Sequence, residues 1–114
     1  MNLSQFLSSK WPNNAWIKEK NIEVYVRKSV RVLGQNVYPC LEIGNVNVNE
    51  NHKGKGVFTA FLKRFEKEAE KLHRYVYVEN LLEPRLINFL LKNGYKLVPG
   101  ANTLAPCVYK LFTT

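Results

Sequence analysis

The sequence predicts a mixed α/β fold, a sheet of strands with helices packed on it. Three observations predict it. Apolar and polar residues alternate from Ile22 to Arg27, the period of a half-buried strand, and further strand-like runs reach Val48. At Val57 the apolar spacing changes to the helical one. Beyond that helix, short runs rich in β-branched and aromatic residues flank a second helix. Strands bunched early, followed by strand–helix–strand–helix–strand, give a mixed sheet.

The elements follow in order. Leu3 to Ser8 reads as a short helix with Ser4 as a weak cap, and Trp11-Pro12 stops it because the residue before proline avoids the helical region. Pro12 to Trp16 begins another turn, and the two tryptophans plug the edge of the core. Ile22 to Arg27 is a strand with one buried face, and Val30 to Leu33 continues it or starts a second. Gly34-Gln35-Asn36 is a turn. Val37 to Val48 is one long strand or two abutting ones, with Gly44 marking a bulge or a close backbone approach. Val57, Phe58, Phe61, Leu62, Phe65, Ala69 and Leu72 share the apolar face of a long helix. Tyr75 to Val78 is a strand. Pro84 opens the next helix with Glu83 near its start, and Leu86, Phe89 and Leu90 form its buried side. Asn93-Gly94 ends it in a left-handed cap. Tyr95–Val98 and Val108–Phe112 close the sheet as a pair.

The chain has 114 residues, which suits one domain spanning 1–114 with a modest core. No apolar run approaches the ~20 residues of a membrane span. Met1 to Leu7 has no basic start and no small-residue cleavage site, so no secretory leader is expected. Cys40 and Cys107 are too few for a disulfide scaffold or a metal cluster, and free buried thiols in the cytoplasm are the simple reading. Seventeen Lys+Arg against 9 Asp+Glu give a net charge of +8, which favours anionic partners without choosing among them. The signs alternate along Lys63 to Lys71, as on a solvated helix face. No nucleic-acid motif appears and the aromatics sit at core spacing, so a nucleic-acid binder is the weaker alternative.

The chemistry is carried by Val46-Asn47-Val48-Asn49-Glu50-Asn51-His52-Lys53-Gly54-Lys55-Gly56-Val57-Phe58, where a strand runs through a glycine loop into a helix. The first amides of a helix lack intrahelical partners and, with the helix dipole, attract anions. Gly54 and Gly56 let the backbone come close, and Lys53 and Lys55 add charge. The expectation is a phosphate or pyrophosphate site. The segment is neither a P-loop, since Val57 follows Gly56, nor a dinucleotide fingerprint, since Thr59 stands where a third glycine is needed.

Asn51-His52-Lys53-Gly54-Lys55-Gly56 resembles the pyrophosphate loop of the GNAT superfamily of acetyltransferases, Gln/Arg-x-x-Gly-x-Gly/Ala, with Asn51 in place of the first residue. Tyr75 to Asn80, then Pro84 to Asn93 and Gly94-Tyr95, resembles the family's later strand, second conserved helix and following Gly-Phe. The likeness covers residues 22–112. It implies a mostly antiparallel sheet, splayed near the cofactor, with helices on both faces. It implies acetyl-CoA as co-substrate, no metal, and an amine acceptor that attacks the acetyl group directly in a ternary complex. The backbone at Val46 and Val48 would pair with the pantetheine arm, and the amides from Lys53 through Gly54, Lys55, Gly56 and Val57 to Phe58 would hold the pyrophosphate. A strand amide near Val46 would polarise the carbonyl.

The catalytic half of the family pattern is less complete. The tyrosine that members place four residues before the glycine falls on Leu90, and their asparagine seven residues earlier falls on Glu83. Fewer residues precede Ile22 than in the family, where that part shapes the acceptor site. Three residues are candidates for the missing chemistry. Glu42 is a general base or a solvent-facing strand glutamate. Glu79 binds a cationic acceptor or is exposed. Tyr109 reaches the departing thiolate or is a half-buried core tyrosine. His52 assists anion binding or faces water, and His73 lies at the surface. A GNAT-like module that holds CoA without turnover is the alternative to an enzyme.

Overall fold

The computed structural model describes residues 2–10, 12–79, 84–98 and 106–112. Six strands form one sheet. They are β1 (Asn14–Glu19), β2 (Ile22–Leu33), β3 (Asn36–Val48), β4 (Tyr75–Val78), β5 (Lys96–Leu97) and β6 (Val108–Lys110), in the order β1-β2-β3-β4-β6-β5. Only β3 and β4 are parallel; every other pair is antiparallel. The helices are α1 (Leu3–Ser8), α2 (Val57–Lys71) and α3 (Pro84–Lys92). No helix among the described residues is long and apolar enough to cross a membrane.

Strand register explains the two faces. Ile17, Val24, Val26, Leu41, Ile43, Val76, Val78 and Val108 are paired or adjacent across the sheet and all point to one side. On that side sit Phe6 of α1, Phe61 and Phe65 of α2, and Leu90 of α3, each without solvent exposure. Burying each such side chain stabilises the fold by roughly 1.5–3 kcal/mol. The opposite face is closed without a helix among the described residues. There Cys40, Tyr77 and Leu33 form a second cluster with Tyr38, Tyr75, Val98, Cys107 and Tyr109 packed against it, beside a set of ion pairs. The α/β class with a mostly antiparallel sheet stands. The helices expected on both faces gather on one, because only one face presents a continuous aliphatic surface.

Gly44 is the point where β3 bends. Val26 pairs with Ile43 but Tyr25 pairs with Asn45, so Gly44 is an extra residue, a β-bulge. The insertion restores the apolar side: Leu41 and Ile43 precede it, and Val46 and Val48 follow it against the same core. A Cβ at Gly44 would lie 3.1 Å from the Tyr25 ring and 3.4 Å from the Glu79 carboxylate, so any larger residue needs the ring to give way by a few tenths of an ångström.

Some local expectations change. Asn2, not Ser4, caps α1: its side chain accepts from the Gln5 amide at 2.8 Å while Gln5 Oε1 accepts from the Asn2 amide, a reciprocal capping box. Asn14 to Glu19 is a strand rather than a turn, since Ile17 gains a buried place only when it pairs with Val24. Trp16 is 42% exposed and leans on Tyr25 instead of plugging the core, and Trp11 and Glu83 lie outside the described residues. Both later helices end in Schellman caps. In α3 the Tyr95 amide donates to Leu90 O and the Gly94 amide to Leu91 O, with Gly94 at φ +91°. In α2 the Arg74 amide donates to Ala69 O and the His73 amide to Glu70 O, with His73 itself left-handed at φ +56°.

Candidate active site

The parallel pair β3–β4 runs from Cys40 opposite Tyr75 to Ile43 opposite Val78 and ends with the Glu79 amide donating to Ile43 O at 3.1 Å. Beyond the bulge β3 continues to Val48 with β2 as its only strand partner among the described residues. The Asn49 amide donates to Asn21 O at 2.7 Å, which fixes the alternation of the antiparallel ladder. Asn47 and Asn45 therefore bond toward β2, and the main-chain groups of Val46 and Val48 face the other way, into the gap beyond β4.

The chain leaves β3 through a short 3₁₀ turn, Glu50–His52, and reaches α2 through two left-handed glycines, Gly54 at φ +78° and Gly56 at φ +80°. A Cβ at either meets nothing within 4 Å, so it is backbone conformation and not crowding that selects glycine there. Within the loop the His52 amide donates to Asn49 O, Lys53 to Glu50 O at 3.5 Å and Lys55 to His52 O at 3.3 Å. The amides of Gly54, Gly56, Val57, Phe58 and Thr59 have no protein acceptor among the described residues. Of the six amides expected to act together, two are thus engaged inside the loop and four remain, joined by Thr59.

A cavity of about 750 Å³ lies over these groups. Val46 and Val48 line it from β3, and His52, Lys53, Gly54 and Gly56 from the loop. Val57, Phe58 and Thr59 line it from α2, and Arg85, Leu86 and Phe89 from α3. Lys55 is exposed and does not line it, and Lys53 pairs with Glu50 at 3.0 Å. His52 Nδ1 is shielded from solvent and has no hydrogen-bond partner among the described residues. Such an atom is costly unless something supplies the bond. The free amides, this orphaned nitrogen and the Arg85 guanidinium suit an anionic group, while Val46, Phe58, Leu86 and Phe89 suit an apolar arm. The residues present fit a phosphorylated ligand carrying a long thin chain. Arg85, Leu86, Phe89 and Thr59 were not evident from sequence. Leu86 and Phe89 read there as core side chains, and only the packing of α3 beside the start of α2 turns them toward a cavity.

Glu42 and Glu79 meet on the other face of the sheet. Glu42 is fully buried. It accepts from Arg27 at 2.8 Å and 3.2 Å, from Arg31 at 2.5 Å and 2.7 Å, and from the Ser29 hydroxyl. Glu79 accepts from the same two guanidiniums, that of Arg31 at 3.3 Å. Neither is the exposed strand glutamate that alternation suggested. Burial alone would raise the Glu42 pKa, but the bonds from Arg31, Ser29 and Arg27 outweigh it and hold the carboxyl below its ordinary range. A carboxylate so occupied is a weak base. Tyr109 lies opposite Tyr77 and is half-buried in the second cluster. The phenol of Tyr77 is pushed up to about 12 by burial and by its hydrogen bond with Cys107.

No protein-family model and no curated protein matches the sequence. Solved structures do match by shape. A bacterial toxin superposes with a TM-score of 0.61 at 12% identity, over 78% of this chain and 58% of that one. The histone acetyltransferase HPA2 and related acetyltransferase from Corynebacterium glutamicum ATCC 13032 gives 0.60 at 14%, over 82% and 58%. The AtaT Y144F mutant toxin, solved with the C-terminus of the antitoxin AtaR and acetyl-CoA, gives 0.55 at 14%, over 77% and 57%. A putative acyl-CoA N-acyltransferase from Klebsiella pneumoniae subsp. pneumoniae MGH 78578 gives 0.53 at 16%, over 92% and 79%. The chain thus spans less than two thirds of the first three. At these identities the likeness concerns architecture alone, and what it shows is that this chain has a GNAT-like fold.

Proposed function

We propose that the cavity binds acetyl-CoA and that the chain transfers the acetyl group to an amine, of a small molecule or a protein, by direct attack in a ternary complex. The observation that carries this reading is a conjunction. A strand edge freed at the Gly44 bulge opens beside unengaged amides at the start of α2. The N-terminal amides and Gly54 would hold the pyrophosphate, with His52 and Arg85 beside it. The main chain of Val46 and Val48 would pair with the pantetheine amides as a missing strand does. Acetyl-CoA supplies an activated thioester. The chain's part is to orient it, to polarise its carbonyl with a β3 amide and to admit the acceptor.

Thermal melting with and without acetyl-CoA tests the binding, since a ligand specific for the folded state raises its stability. The expected result is an upward shift that Gly56→Asp abolishes by placing a carboxylate among the amides. A protein that melts at the same temperature in millimolar acetyl-CoA does not bind it, and the reading falls. One observation favours a second reading, a module that binds CoA without turnover: Leu90, where the family tyrosine stands, is wholly buried in the core. Thiol release in the presence of an amine panel separates the two.

A further inference from the structure

A second hollow, of about 450 Å³, lies at the other end of the sheet, beside the start of the β3–β4 pair. Three cations from three parts of the chain line it: Lys10 after α1, Lys28 in β2 and Arg74 in the turn before β4. Among the described residues no carboxylate lines it, and none of the three cations belongs to an ion pair.

Neutral groups hold two of these heads in place. Lys28 Nζ donates to Ser9 O and sits 4.6 Å from the centre of the Phe6 ring. Arg74 Nη1 donates to Ser29 O at 3.3 Å and to Cys40 O at 3.1 Å. The left-handed His73 in the α2 cap sets the direction from which Arg74 enters. The arrangement has a cost. Burial first, and then the nearby Arg74 charge, lower the pKa of Lys28. The contrast with the neighbouring face is instructive. There Arg27 and Arg31 are neutralised by Glu42 and Glu79, whereas here two held cations repel each other with no counter-charge. A local rule broken in one place and kept beside it marks a site with a use.

We propose that this hollow binds the phosphate monoester of a small molecule. Ammonium and guanidinium donors converging from separate elements match a dianionic oxyanion with several acceptor oxygens. Leu7, Val30 and Leu72 give the hollow apolar walls, and its volume leaves room for a body behind the phosphate. Among the described residues no aromatic side chain lines it, so none of them offers the base-stacking platform of a single-strand binder there. The inference does not rest on the acetyl-transfer reading, because the two cavities share no residue.

The test is an amide-resolved NMR titration of the full chain with two probes, inorganic phosphate and phenyl phosphate. Saturating shifts are expected at Ser9, Asn13, Ser29 and Arg74, with phenyl phosphate the tighter. Gly56→Asp leaves them unchanged. Lys28→Met weakens binding about tenfold, the loss of one charge-assisted bond, and the exposed Lys10→Ala does so without a risk to folding. Shifts confined to residues 53–59 overturn the proposal, as does a lack of saturation by about 50 mM phosphate. So does undiminished affinity in both lysine variants. Tighter binding of a ten-nucleotide oligodeoxythymidine, steeply weakened by salt, assigns the hollow to nucleic acid instead.

Discussion

Glu42 shows how much a single side chain depends on its neighbours. It accepts bonds from two guanidiniums and a hydroxyl, and removing its charge leaves Arg27 and Arg31 with Glu79 alone. Breaking a buried pair from one side is expensive. Glu42→Gln is expected to lower stability by about 3 kcal/mol, the lower part of the range for such pairs because both arginines are partly exposed. Urea unfolding measures this. The sign of the pH dependence follows from its lowered pKa. The stabilisation is complete above the ordinary carboxylate value and is lost as the pH falls through the depressed folded value, so Glu42→Gln flattens the acid side of the stability profile. A consequence for chemistry goes with it. Under the acetyl-transfer reading, with Glu42 and Glu79 both committed to arginines, neither carboxylate is left to deprotonate the acceptor amine, which would arrive unprotonated. Under the acetyl-transfer reading, kcat/KM rises with pH toward the pKa of the amine itself, and a plateau near pH 5 set by a carboxylate would contradict this. None of it was legible in sequence. Alternation gives a strand a polar side but does not relate one strand to another, and only the β2–β3 register brings Arg27, Ser29 and Arg31 to Glu42.

At the scale of elements the sequence was a better guide. The long α2, the three later strands and the glycine cap of α3 follow from period and turn chemistry, which are local. β1 was not legible because its one buried side chain, Ile17, depends on a partner strand. The ends of α2 yield two predictions. Gly56 at φ +80° cannot become alanine without left-handed strain, so Gly56→Ala costs about 1–2 kcal/mol although its Cβ touches nothing. His73 occupies the same region at the other end, and its exposed side chain has no steric reason to be there. His73→Gly is expected to raise stability by about 1 kcal/mol, read as a higher melting temperature.

For the whole molecule, the charge of +8 and the sheet order matter most. The anion loop accounts for little of that excess, and the second hollow was invisible in sequence because Lys10, Lys28 and Arg74 are far apart along the chain. Self-repulsion among like charges is screened by salt. The melting temperature is expected to rise between low ionic strength and about 0.15 M, where the screening length is ~8 Å, and a fall would mean that specific ion pairs dominate. The bulge acts as a phase shift in this architecture. Side-chain direction in a strand is a matter of counting, odd or even, and Gly44 changes the count once. Were Gly44 paired as an ordinary strand residue, with no bulge, everything downstream of it would invert: Asn45 and Asn47 would turn toward the aliphatic core, and Val46 and Val48 toward the arginines. The cavity over the start of α2 would lose its floor with every residue that lines it still in the chain.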